Sequence, residues 1–300
     1  VSTISPIKTD TNKARNFLQL KLAEVLELSI FEELESVMNG LKENTSLGYL
    51  STAFSKAVRL FGKSVLNYSV EQRKKAEEIC PGWNLPNSID KAVRILILLQ
   101  IPNENERENV NAIEGLFASA DVGEQVVIYS SLALFPFPEK LITRCMEGIR
   151  SNMGEVFEAV ANENPFPAAY LSEDAFNQMV LKCLFVGKPL YKIENLRSRL
   201  NKNLARMASD YAHERWAAGR ELNPELWQLV GDFMELEDMN DMYRLSRSEN
   251  ELEKQAAAIC CSQCQITDAE EIYAMSEYKM KVDGGELNWW NLGVDVWRNK

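Results

Sequence analysis

Apolar residues recur along this chain at helical spacing. Phe17, Leu20, Leu22, Val25, Leu26 and Leu28, then Phe31, Leu34, Val37, Met38 and Leu41, follow the i, i+3, i+4 rule of amphipathic helices. Gly40 and the stretch from Asn44 to Gly48 are expected to interrupt this first helical hairpin. β-branched residues cluster at Val126-Val-Ile128, but no Asn-Gly or Asp-Gly turn accompanies them, so strand signals are thin. The pattern predicts an all-α chain.

Helix starts are marked by proline, which suits a first helical turn: Pro138, Pro167 and Pro224 each precede a new periodic segment. Ser172-Glu-Asp174 adds a capping residue with acids placed against the helix dipole. The Phe-Pro pairs at 137–138 and 166–167, with Asn223-Pro224 further on, space the helices evenly. That spacing suits stacked antiparallel helical hairpins, as in a HEAT-like helical solenoid, with an irregular helical bundle as the alternative. Glu251–Cys264 and Asp268–Lys279 read as one more helix pair. A charged stretch, Glu235–Glu249, precedes it, so a soft boundary is expected near 235, with helical residues 1–235 followed by a packed extension, 236–300. Asn288-Trp-Trp-Asn291 and Trp297 read as a short terminal segment docked through its indoles.

Composition narrows the function classes. A formal charge of −11 across 300 residues argues against nucleic acid, whose phosphates call for basic patches. It also disfavours a permanent anionic membrane partner. The apolar runs Ile95–Leu99 and Val126–Phe137 fall well short of the roughly 20 residues a spanning helix needs. Val1 to Asp10 lacks the apolar centre of a signal peptide, although a processed transit sequence fits too. The six cysteines form no even framework, which points to a reducing compartment such as the cytoplasm.

The candidate chemistry centres on Asp210-Tyr-Ala-His-Glu-Arg-Trp-Ala-Ala-Gly-Arg220, which holds the only histidine. Arg206, Asp210 and Glu214 are spaced four apart on one helix face, with His213 beside them and Gly219 as a stop signal. The plain reading is an ion-paired interhelical network. The chemical reading makes His213 an acid–base group oriented by Asp210 or Glu214. Zinc usually takes more ligands than one imidazole offers, and di-iron bundles want two Glu-x-x-His units, so no metal or other cofactor is expected. Glu147 and Arg150 are placed to pair at i, i+3, while Asn152 and Asn164 suit helix ends and turns. Asn177, Gln178 and Lys182 interrupt an apolar helix and must find partners if buried, fixing register or holding a ligand. Cys260-Cys-Ser-Gln-Cys264 lacks the second ligand pair of a zinc site and is expected to pack in a helix core. Glu237-Asp-Met-Asn-Asp241 is read as a solvated charged turn. Phosphate loops and the Gly-x-Ser-x-Gly nucleophile turn are absent.

Arg144-Cys-Met-Glu-Gly-Ile-Arg-Ser-Asn152, Val156-Phe-Glu-Ala159, Asn164-Pro-Phe-Pro167, Asn177-Gln-Met-Val-Leu-Lys182, Phe185-Val-Gly187, Asp210–Arg220 and Pro224-Glu-Leu-Trp227 together resemble the EboA family. The likeness is specific over 144–231 and weaker outside, with Pro81-Gly-Trp83 similar to its upstream part. Asn162-Glu-Asn-Pro165 stands where the family usually reads Leu-Asp-Asn-Pro, and Phe176-Asn-Gln178 where it reads Trp-Asn-Gln.

The resemblance implies a gene cluster for a specialised metabolite, found in bacteria and some algal plastids and linked to moving a precursor across the inner membrane. Its other products look like a membrane prenyltransferase, a sugar-phosphate cyclase, a sugar isomerase, a metal-dependent hydrolase and a phosphodiesterase. The expectation is therefore a non-catalytic protein that binds a pathway intermediate or scaffolds cluster enzymes. The alternative is an enzyme on a cyclitol, sugar or prenylated intermediate. The polar contact candidates are Arg150, Asn152, Glu158, Asn164, Asn177, Gln178, Lys182, Arg206, His213, Arg215 and Arg220, with Tyr170, Tyr211 and Trp216 as apolar walls.

Overall fold

A computed structural model describes residues 7 and 9–298, so most of the amino-terminal stretch read above for leader character lies outside the described residues. The fold is all α. Among the described residues the one extended pairing is an isolated bridge between Val65 and Ser88, and the Val126–Ile128 cluster lies within a helix. No helix there is long and apolar enough to cross a membrane.

The described chain forms two compact units that divide between Ser172 and Glu173. Position 235, where a boundary was expected, lies inside the second unit, and the family-like window 144–231 contributes to both.

The first unit holds α1 (Thr11–Val25), α2 (Leu28–Glu43), α3 (Leu47–Phe61), α4 (Val70–Ile79), α5 (Ile89–Leu98), α6 (Glu106–Ser119), α7 (Val122–Ser130), α8 (Ile142–Arg150), α9 (Gly154–Ala161) and α10 (Phe166–Tyr170). Side chains cap several of them: Asp10 accepts from the Lys13 amide, and capping boxes open α4 (Ser69, Gln72) and α7 (Asp121, Glu124). The break between α1 and α2 falls at Leu26-Glu27. Gly40 lies inside α2 and does not interrupt it, because its missing side chain leaves the space that the Tyr49 ring fills. Pro138 starts a short 3₁₀ turn ahead of α8, and Pro167 sits in the first turn of α10.

α5 is the axis of this unit. Every residue from Ala92 to Leu98 is buried, against α1, α3 and α7, none of which adjoins it in sequence. Contacts with α3 and α7, each two helices away, are those of stacked helical pairs, whereas the contact with α1, four helices away, goes beyond a linear stack. Arg94 passes through this core. It donates to the Phe54 carbonyl (3.2 Å), pairs with Glu124 (3.4 Å) and lies over the Phe54 ring, so its charge is both compensated and hydrogen-bonded.

The second unit holds α11 (Glu173–Val186), α12 (Leu196–Arg199), α13 (Lys202–Ala217), α14 (Met239–Ser246), α15 (Glu251–Ser262), α16 (Thr267–Met275), α17 (Lys279–Asp283) and α18 (Trp289–Arg298). 3₁₀ turns at Pro224–Leu229, Gly231–Phe233 and Leu236–Asp238 join α13 to α14. α15 and α16 are the expected helix pair, and α14 packs on both. The terminal helix α18 docks as the indoles suggested: Trp297 Nε1 donates to Glu225 (2.5 Å), and Trp290 meets the Tyr191 ring edge-on. Glu225 is fully buried; its carboxylate also accepts from the Tyr191 amide at 2.8 Å.

Candidate functional site

α13 positions the site. Asn201 caps its start by accepting from the Leu204 amide (2.9 Å), and Gly219, at φ +64°, supplies the left-handed residue just past its end. Leu204, Ala205, Ala208 and Ala212 bury one stripe of the helix. Lys202, Arg206, Asp210 and His213 recur at three- and four-residue spacing on the side that lines a groove of about 310 Å³. The opposite wall comes from the turns before α14: Val230, Phe233, Glu235, Glu237 and Asp238.

Acidic and basic groups face each other across this groove. Lys202 Nζ pairs with Glu235 at 2.5 Å, and Ser209 Oγ donates to Asp238 at 3.1 Å. Asp238 also caps its own turn by accepting from the Glu235 amide. His213 Nε2 lies 2.8 Å from Asp241 Oδ2, so the carboxylate partner of the histidine comes from α14 and not from Asp210 or Glu214 on its own helix. The expected network of Arg206, Asp210, His213 and Glu214 is thus replaced. At i, i+4 the arginine and Asp210 share a face, yet no ion pair joins them among the described residues.

Asp241 is 7% exposed. Burial pushes its carboxyl above the ordinary aspartate value and Asp238 adds to the rise, while the His213 hydrogen bond and charge and Arg244 oppose it. The reading of 237–241 as a solvated turn fails here. Capped by Glu235 and Asp238, the run turns into α14 and carries its last aspartate inward. The acidic wall was therefore the part of the site that sequence reasoning missed; the available signal was acids spaced around a helix start.

Behind His213 stands an aromatic column. Trp216 stacks on fully buried Trp227 (5.7 Å between ring centroids), lies 6.0 Å from the His213 ring and carries the Arg244 guanidinium at 4.1 Å. It fixes the last turns of α13 against the Pro224–Leu229 segment.

The other candidates have separate surroundings. In the second unit, buried Asn177 exchanges two hydrogen bonds with Asn201 (3.1 and 2.9 Å), tying α11 to the cap of α13, a register role. Gln178 is exposed, and burial lowers the Lys182 amine below its usual range. Arg215 closes the end of α13 by donating twice to the Glu221 carbonyl; Tyr211 is half-buried and Arg220 exposed. In the first unit, Asn164 is a turn residue that donates to the Tyr129 and Ala159 carbonyls and accepts from the Phe166 amide. The Tyr170 hydroxyl donates to the Ile7 carbonyl, Asn152 is exposed and Glu158 half-buried. Glu147 pairs with Arg144 (2.6 Å) instead of Arg150, which lines a shallow hollow with Tyr129 and Val156. The groove thus gathers Arg206, Asp210 and His213 from the expected set and adds Lys202, Ser209, Glu235, Glu237 and Asp238.

Among the described residues, no three His, Cys, Asp or Glu side chains converge as metal ligands would. Cys260 and Cys261 are buried free thiols, and Cys264 is partly covered. A family model described as metabolite traffic protein EboA matches residues 14–231. No curated protein and no solved structure matches the chain.

Proposed function

Because the chain belongs to the EboA family of metabolite traffic proteins, we propose that it is a non-catalytic accessory protein that binds a small polar pathway intermediate in the α13–α14 groove. The observation that carries this reading is the groove itself. At about 310 Å³ it suits a small molecule, and its acids and bases stand around the apolar surface of Val230 and Phe233. Such a lining recognises hydroxyl, amine or acid groups by hydrogen bonds while a ring or carbon skeleton rests on Phe233. Other products of the same gene cluster would supply and receive the intermediate, with release or export at the membrane and the protein itself cytoplasmic or stromal.

One observation favours a second reading, an enzyme. His213 has a carboxylate at 2.8 Å and a half-exposed ring in the groove, the pairing that orients a general base. On that reading Asp241, in place of Asp210 or Glu214, orients the histidine. His213→Gln separates the two: glutamine can still donate to Asp241 but cannot shuttle a proton. A binding protein keeps the bound intermediate in this variant, measured by mass spectrometry of extracts from a host expressing the whole cluster. An enzyme would instead lose conversion of the intermediate with its melting temperature unchanged.

A further inference from the structure

Beyond the end of the family match at 231, α14, α15 and α16 enclose a second cavity of about 320 Å³. Its floor is Ala257, Ala258 and Ile272, all buried. The small alanine side chains leave the hollow where larger residues would have closed the helix contact. Tyr243 and Tyr278 form walls, and both hydroxyls are already committed, one donating to Asp268 (3.3 Å) and the other to Glu251. The rings therefore offer carbon to whatever lies between them. Met275, 88% exposed, adds a polarisable and adaptable thioether.

The charges around this hollow are sorted. Lys254 holds the carboxylates of Glu251 and Glu277, so its charge is taken up and the three together keep one negative charge in excess. Arg247 is different: its guanidinium lies 5.5 Å from the Tyr243 ring and makes no ion pair among the described residues. In an apolar, tyrosine-walled cavity Arg247 is the cation that no ion pair engages among the described residues, so its guanidinium is open to the single acid group of a flat apolar molecule, which it can take in bidentate fashion.

We propose that this cavity is a second small-molecule site, for an aromatic or similarly flat carboxylate, independent of the α13–α14 groove. The test uses three probes of one shape: 1-naphthoate, 1-naphthylmethanol and 1-naphthylmethylammonium. Each is titrated into the full chain labelled with 13C-methyl methionine, where a bound naphthalene ring shifts the Met275 methyl signal, assigned with Met275→Leu. Naphthoate is expected to shift that signal saturably and to bind at least tenfold more tightly than the alcohol or the ammonium probe. In Arg247→Gln the naphthoate advantage should disappear while the affinity of the alcohol holds. Absence of a saturable Met275 shift with naphthoate would overturn the site. Equal binding of all three probes, or an unchanged naphthoate preference in Arg247→Gln, would overturn its assignment to acids.

Discussion

His213 on α13 and Asp241 on α14 meet at 2.8 Å, joining two helices through a histidine that is half exposed and an aspartate that is nearly covered. Burial dominates the aspartate and raises its folded-state pKa above the unfolded value of about 3.9. A carboxyl shifted in that direction supports the fold below its unfolded pKa. The support is lost as pH rises through the folded value, because the ionised form is the less well solvated one. Asp241→Asn keeps a hydrogen-bond acceptor for His213 and removes the charge. Its melting temperature relative to the parent should therefore climb between pH 3.5 and 7 and be highest at neutral pH. A relative stability that falls over that range would mean that the ion pair outweighs burial.

The Asn177–Asn201 exchange predicts a stability effect with no binding effect. Asn177→Ala removes both hydrogen bonds at a part-buried point where α11 meets the α13 cap, while Asn201 keeps its bonds to the Leu204 amide and the Arg199 carbonyl. The loss should be about 1–3 kcal/mol by chemical denaturation, the usual net contribution of two hydrogen bonds. Retention of any bound intermediate should stay at the parental level in conditions where the variant is folded. An unchanged denaturation midpoint would show that the pair does not hold the helices in register.

Thiol chemistry separates packing from a metal role for Cys260-Cys-Ser-Gln-Cys264. Burial pushes the Cys261 thiol up to about 12 and holds the Cys260 thiol well above its ordinary value, with the Cys260 Sγ donating to the Trp227 carbonyl at 3.8 Å. Cys80 is raised to about 11, and Cys145 is raised by burial alone. Thiolates are the reactive form, so these groups are shielded twice, by cover and by protonation. With an aromatic disulfide reagent at pH 8, Cys264 should react first in the native protein, and all six thiols only after unfolding. Simultaneous fast labelling of Cys260 and Cys264, suppressed by zinc, would restore the metal reading.

Helices were legible because their signals are local: apolar spacing, prolines in first turns and capping side chains mark α1, α2, α10, α11, α13 and the α15–α16 pair directly in the sequence. Gly40 misled because a glycine that ends a helix and one that admits a neighbour's ring look alike until Tyr49 is placed. Neighbours of α5 were not legible, since contacts to α1, α3 and α7 join residues far apart in the chain. Half of the candidate groove followed from the spacing on α13. Its other half did not: whether Asp241 points to water or to His213 depends on how the turns after Trp227 fold back, and acidic runs look the same in either case. Asn177 was correctly marked as a group that needs a partner, but only tertiary packing supplied Asn201.

The binding groove between α13 and the acidic turns is tested most directly by one paired mass measurement. The parent chain and the Arg206→Ala, Phe233→Ala double variant would be purified from hosts expressing the remaining cluster genes and weighed native and denatured, with metal analysis alongside. Arg206 and Phe233 line the groove from opposite walls, and the variant's circular dichroism and melting curve establish that it is folded. The parent should carry a stoichiometric small molecule that leaves on denaturation, with occupancy in the variant reduced at least tenfold. A parent recovered bare, or an equal load on the folded variant, would contradict the assignment of metabolite binding to this groove.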